Sequence, residues 1–162
     1  MIRVENRTQL PVPPSRVWEA LLAFELYPRW HPYLRLQGEA APGAELELQY
    51  TRQLVTARRR RAWVKVQDYQ PHRRFEWGLG SLALVRVREG FALESHAGGT
   101  QLLHWYEYRG LVALLGGETV RSREEKMVRE TDAALSAYLI NEQRKRGRKA
   151  LARPSQPRRR PR

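Results

Sequence analysis

The sequence predicts an α+β domain in which an antiparallel sheet of about six to seven strands is followed by one long C-terminal helix. Three observations carry this. Short segments with period-two alternation follow one another, separated by turn residues. One stretch of helical period interrupts them after the first strand. Residues 118–146 contain neither proline nor glycine, which favours a single long helix.

Ile2, Val4, Asn6, Thr8 and Leu10 alternate with Arg3, Glu5, Arg7 and Gln9, as in a strand with one buried and one wet face. Between Pro11 and Leu34 the period changes. Val17, Leu21 and Phe24 recur at i, i+4 and i+7, and Trp18 and Leu22 widen the same face, the pattern of a short amphipathic helix. Pro13 and Pro14 fit its first turn, where a missing amide would have had no partner, so it begins near Pro14 or Ser15. Pro28 and Pro32 then bracket a stiff, aromatic-rich connection with Tyr27, Trp30 and Tyr33.

Leu34 to Leu36 form a short strand, and QGEAAPG (37–43) a loop. A stronger strand follows at 44–51, where Leu46, Leu48 and Tyr50 alternate with Glu45, Glu47 and Gln49. Across 58–69, Ala62, Val64 and Val66 share one face, with Trp63, Lys65, Gln67 and Tyr69 on the other, until Pro71 breaks the run. Phe75 and Trp77 sit at strand spacing in 74–79. In 82–88, Leu84, Arg86 and Arg88 oppose Val85 and Val87, and 91–96 continues that strand or begins another. Ala97-Gly98-Gly99 is a hairpin signal, since adjacent glycines supply positive φ, and 100–108 is the last strand. Gly110 and Gly116-Gly117 frame the apolar Leu111 to Leu115. The long helix starts near Glu118, or at Ser122 if Ser122 and Glu125 form a capping box. Its buried stripe is Met127, Thr131, Ala134, Leu135, Tyr138 and Leu139.

Cysteine is absent, which excludes disulfides, thiol catalysis and Cys-based metal sites and fits a reducing compartment. MIRVENRTQL lacks the apolar core of a signal peptide. The longest apolar run, Leu111 to Leu115, is far short of a membrane span, so a cytoplasmic protein is expected. The formal charge is +13, but from Glu142 onward ten basic residues and one acidic one put +9 in the tail, leaving +4 for the first 141 residues. Nucleic-acid binding by the folded part is correspondingly disfavoured. Residues 1–146 are read as the domain and 147–162 as a basic tail, with Gly147 the helix stop. The tail has three prolines and almost no apolar residues, so it is expected to be disordered. It either binds nucleic acid or anionic lipid through phosphate charge or serves solubility alone.

VPPSRVWEALLAFELYPRWHP (12–32) resembles the APxxVWxxLxDFxxYPxWNP segment of the START and Bet v 1-like (SRPBCC) superfamily, in the polyketide cyclase/dehydrase and lipid-transport group. His31 stands where Asn is usual. A second stretch, RRFEWGLGSLALVRVREGFALESHAGGTQLLHWYEYRGLVALLGG (73–117), is similar to the RLxWxG, GxHxFxL and TxLxHxExFxGLLxxLL segments of bacterial members, except that the middle one lacks its His and reads Glu89-Gly90-Phe91. The resemblance implies a helix-grip fold: a curved sheet wraps the terminal helix, with the short helical segment after strand 1. The gap between sheet and helix becomes an apolar, aromatic-lined cavity.

The candidates for lining it are Trp30, Tyr33, Trp63, Phe75, Trp77, Phe91, Trp105 and Tyr106; alternatively these side chains simply fill the core. His104 and Tyr106 share one face of the last strand, and Glu107 lies on the other because it is three residues from His104. Alternation does not say which face looks inward. If His104 faces the cavity it is a candidate acid or base with Tyr106 as donor; otherwise it is structural or exposed. Glu107 and His31 complete the candidate catalytic set. No histidine pair has metal-ligand spacing, no phosphate loop is present, and no cofactor is implied. Arg58 to Arg61 forms either a solvated hairpin end or a rim that attracts an anionic ligand.

Three functions follow. The first is binding of a small hydrophobic or amphipathic molecule, as carrier, sensor or sequestering protein. The second is a cyclase- or aromatase-like enzyme in which the cavity folds a reactive chain and positioning supplies most of the catalysis. The third is a tail-driven adaptor on nucleic acid or anionic membrane. Monomer and homodimer are both compatible with the sequence.

Overall fold

The computed structural model describes residues 1–51, 61–81, 85–111 and 117–151. Seven strands form one antiparallel sheet: β1 (Ile2–Leu10), β2 (Leu34–Gln37), β3 (Glu45–Tyr50), β4 (Arg61–Gln70), β5 (Arg74–Ser81), β6 (Val85–His96) and β7 (Gly99–Gly110). Their order across the sheet is β1-β7-β6-β5-β4-β3-β2. Every strand therefore neighbours its sequence partner except β1, which crosses to pair with β7. The sheet curls into a half-barrel around the C-terminal helix α2 (Gly117–Leu151), which packs chiefly on β1 and β7. This is the helix-grip architecture. At 35 residues α2 is about 52 Å long.

Helix α1 (Pro14–Leu22) begins at the second proline, with Pro13 extended before it and no side-chain cap. It buries Val17, Trp18, Ala20 and Leu21. A 3-10 helix follows at once (Phe24–Arg29), with Pro28 inside it. The tight turn is pinned where the Tyr27 hydroxyl donates to the Leu21 carbonyl at 2.7 Å.

One alternative left open by the sequence is decided, and two details differ from the expectation. Residues 85–96 are one continuous strand, because Gly90 and Phe91 stay in register with Trp105 and His104 on β7. Tyr69 faces the core rather than sharing a face with Trp63 and Lys65. The register slips between Val66 and Asp68, and this bulge turns Tyr69 inward to pair with Phe75. Helix α2 runs through Gly147 to Leu151, so that glycine is not its stop. An exposed interior glycine costs a helix only about 1 kcal/mol, and the Lys and Arg residues around it are good helix formers. The rest of the tail, most of the Arg58 to Arg61 run and Val112 to Leu115 lie outside the described residues.

The alternation now has a direction. Leu102, His104, Tyr106 and Tyr108 of β7 face the helix, together with Asn6 and Thr8 of β1 and Val87, Glu89 and Phe91 of β6. Trp77 and Phe75 of β5 and Leu46, Leu48 and Tyr50 of β3 continue the concave face. On the convex face the Trp105 ring lies over Gly90, where no Cβ would fit. The guanidiniums of Arg3 and Arg74 approach that ring to 5.3 and 4.8 Å.

Candidate functional site

One charged cluster interrupts the apolar interior. His104, wholly buried, has a carboxylate on each ring nitrogen: Nδ1 donates to Asp132 Oδ1 at 2.7 Å and Nε2 to Glu89 Oε1 at 3.1 Å. Asp132 comes from α2 and Glu89 from β6, so the cluster ties the helix to the sheet. The second oxygen of Asp132 accepts from Asn6 Nδ2 at 2.7 Å and from Thr8 Oγ1 at 3.1 Å. Phe91 stacks on the imidazole, ring centres 4.3 Å apart. Burial alone would lower the His104 pKa, but the hydrogen bonds from Asp132 and Glu89 and the charge of both outweigh it and raise the value to about 9. At neutral pH His104 is therefore an imidazolium held between two carboxylates.

Beyond Glu89 lie Tyr106, Tyr108, Tyr50 and Glu124 on the same side of the sheet. Burial and then the charge of Glu89, with a further contribution from Glu124, push the Tyr106 hydroxyl well above its ordinary pKa. Tyr108 is raised by burial and by Glu124, and Tyr50 is pushed up to about 12 by burial and both glutamates. These tyrosines act as neutral hydrogen-bond donors rather than acids. Glu124, on the second turn of α2, is raised by burial although Arg123 pairs with its Oε1 at 2.7 Å. The Tyr106 and Tyr108 hydroxyls interact with Glu89 and Glu124 respectively. Even so, the Oε2 atoms of Glu89 and Glu124 are buried without a hydrogen bond of normal geometry.

His31 is buried and neutral. Its Nδ1 accepts from the backbone amides of Tyr33 and Leu34, each at 3.3 Å, and its ring stacks on Tyr27. Burial first, then the charges of His104 and Arg35, hold its pKa well below the usual histidine value. This geometry makes His31 a bracket for the aromatic connection.

Of the residues singled out from sequence, the structure brings Phe75, Trp77, Phe91, His104 and Tyr106 to the concave face. Trp30 and Tyr33 are buried beside it in the connection, and the Tyr33 hydroxyl reaches Glu130 of α2. Trp63, Trp105 and Glu107 are not with them. Strand alternation sends all three to the convex face, where Trp63 is 68% exposed and Glu107 pairs with Arg3 and Arg109. Glu107 is therefore separated from His104 by the sheet itself.

Asn6, Thr8, Tyr50, Glu89, Tyr108, Glu124 and Asp132 join the site without having been singled out. A signal existed. Each polar residue stands in the apolar phase of its element: Asn6 and Thr8 share the phase of Val4 and Leu10, Glu89 falls between Val87 and Phe91, and Asp132 lies one turn beyond Val128. A charged residue in the buried phase marks either a paired core group or a site.

The groove of about 410 Å³ between α1 and the later turns of α2 is lined by Val12, Ala20, Leu26 and Leu139 with Arg16 and Glu142 at its rim. It contains none of the cluster above. Among the described residues no helix is long and apolar enough to cross a membrane.

The profile of the family described as polyketide cyclase / dehydrase and lipid transport matches residues 1–139. No curated protein matches the chain. Solved structures of similar fold include a structural-genomics protein from Rhodobacter sphaeroides, 19% identical over 86% of this chain and 92% of that one, with a TM-score of 0.66. Protein MLL2253 from Mesorhizobium loti is 16% identical over 87% and 98%, TM-score 0.66. Ara h 8.0201 is 15% identical over 86% and 98%, TM-score 0.63. At such identities the likeness is one of fold. With the family profile spanning residues 1–139 of 162, the chain belongs to the polyketide cyclase/dehydrase and lipid-transport family.

Proposed function

We propose that this protein binds a small hydrophobic or amphipathic molecule between the concave face of the sheet and α2. The observation that carries the reading is the pair of buried carboxylate oxygens, on Glu89 and Glu124, that make no hydrogen bond of normal geometry amid aromatic and aliphatic side chains. An interior acceptor without a donor costs about 1–3 kcal/mol. A bound molecule that supplies the donor recovers that cost and buries its apolar body against Trp77, Phe91 and the tyrosines. The C-terminal ends of β3, β5 and β7 share one edge of the sheet, and entry is proposed from that end.

A cyclase-like reaction in the same space is a weaker reading. His104 has both nitrogens committed and lacks a lone pair at neutral pH, so it is not poised as a general base. Turnover there would rest on positioning, with Tyr106 as donor.

Native mass spectrometry of the full chain, followed by organic extraction, tests binding. A discrete adduct in stoichiometric amount is the expected result. A clean apo mass, together with no binding of a neutral apolar fluorophore such as Nile red, would overturn the reading.

A further inference from the structure

Donors and acceptors around Glu89 do not balance. Asp132 and Glu89 share a single cation, the His104 imidazolium, so the three groups together carry one net negative charge. Asp132 is satisfied by three donors, from His104, Asn6 and Thr8, whereas Glu89 has His104 on Oε1 and the Tyr106 hydroxyl beside it, and its Oε2 makes no hydrogen bond of normal geometry. Glu124 repeats the pattern: Arg123 serves Oε1, the Tyr108 hydroxyl lies beside the carboxylate, and Oε2 makes no hydrogen bond of normal geometry. Glu89 and Glu124 are 1% and 0% exposed, so water at the surface does not reach them. Glu89 lies opposite Tyr106 in the sheet register, Tyr108 is the next residue on that face, and the Tyr108 hydroxyl interacts with Glu124, which places the two carboxylates around one region.

The other groups facing this region do not neutralise it. Tyr106 and Tyr108 offer one hydroxyl proton each, and the His31 ring, whose Nε2 also lacks a partner, is neutral. Arg35 is spent on the backbone carbonyls of His31 and Leu34. A net negative charge enclosed by apolar side chains is stable only when a counter-charge or several donors meet it.

We propose, building on the binding function above, that the ligand is an amphipathic cation, a hydrophobic body ending in a protonated amine that docks against Glu89 and Glu124. An ammonium carries three donors and one positive charge, which matches two open carboxylate oxygens and one uncompensated negative charge. The faces of Trp77, opposite Glu89 on the neighbouring strand, and of the tyrosines add favourable contact with a cation. A fatty-acid-like carboxylate would meet like charge, and a neutral alcohol would leave one carboxylate oxygen open.

Isothermal calorimetry of the full chain with dodecylamine, dodecanol and dodecanoate separates these, each kept below its micelle concentration, at pH 7 and enough salt to screen the basic tail. The amine is expected to bind at least about tenfold tighter than the alcohol, with the carboxylate weakest. Glu89→Gln and Glu124→Gln should each bring amine affinity towards that of the alcohol, whereas Glu107→Gln on the convex face should change nothing. If the alcohol or carboxylate equals the amine, or the preference survives in both Gln variants, the cationic ligand is wrong while cavity binding stands. If none of the three binds, both are wrong. The comparison in the unsubstituted protein decides even where a variant fails to fold.

Discussion

His104 should make the stability of this protein fall on the alkaline side of neutrality. Its pKa is about 9 in the folded chain, against about 6.5 when unfolded. A value raised by folding contributes stability that is fully present below about pH 6.5 and lost as the pH rises through about 9. The gap is worth about 3 kcal/mol, of which about 2 kcal/mol disappears between pH 7 and 9. With a urea slope of about 2 kcal/mol/M, the midpoint of unfolding should drop by about 1 M over that range. Tryptophan fluorescence of the full chain at pH 7, 8 and 9 measures it. His31 has the opposite sign: its folded value is depressed, so its contribution is present above about pH 6.5 and lost as the pH falls below it. The interval from pH 7 to 9 therefore isolates His104. A flat midpoint across it, or an equally steep fall in His104→Gln, would refute the assignment of an imidazolium between Asp132 and Glu89.

Other perturbations follow from the same geometry. Asp132→Ala leaves His104, Asn6 and Thr8 without their shared acceptor and should cost about 3–5 kcal/mol in urea unfolding at pH 7, the range for breaking a buried pair. Gly90→Ala drives a methyl into the Trp105 ring and should cost about 1–3 kcal/mol, read the same way. Trp77→Ala should lower stability by about 3–5 kcal/mol, whereas Trp63→Ser, at a side chain 68% exposed, should stay within about 0.5 kcal/mol. Equal losses for the two tryptophans would contradict their placement on opposite faces of the sheet.

The sequence by itself determined the elements. Alternation of Ile2, Val4 and Leu10 with charged residues, the i, i+4, i+7 spacing of Val17, Leu21 and Phe24, and the proline-free run after Gly117 are local patterns that burial on one face imposes on any chain. Together with the YPRWHP turn they led to the helix-grip fold and the family. Tertiary structure alone decided which phase of β7 looks inward, because a period of two leaves the choice between His104 and Trp105 symmetric until the sheet curls around α2. It moved Tyr69 across the sheet through a one-residue bulge that no alternation registers. It also assembled the site. Asp132, Glu89, His104 and Asn6 are up to 126 residues apart in sequence, and no local period relates them. Each is a polar residue on an apolar face, a local anomaly that becomes a paired charge cluster only when strand β1, strand β6 and the terminal helix close on one another.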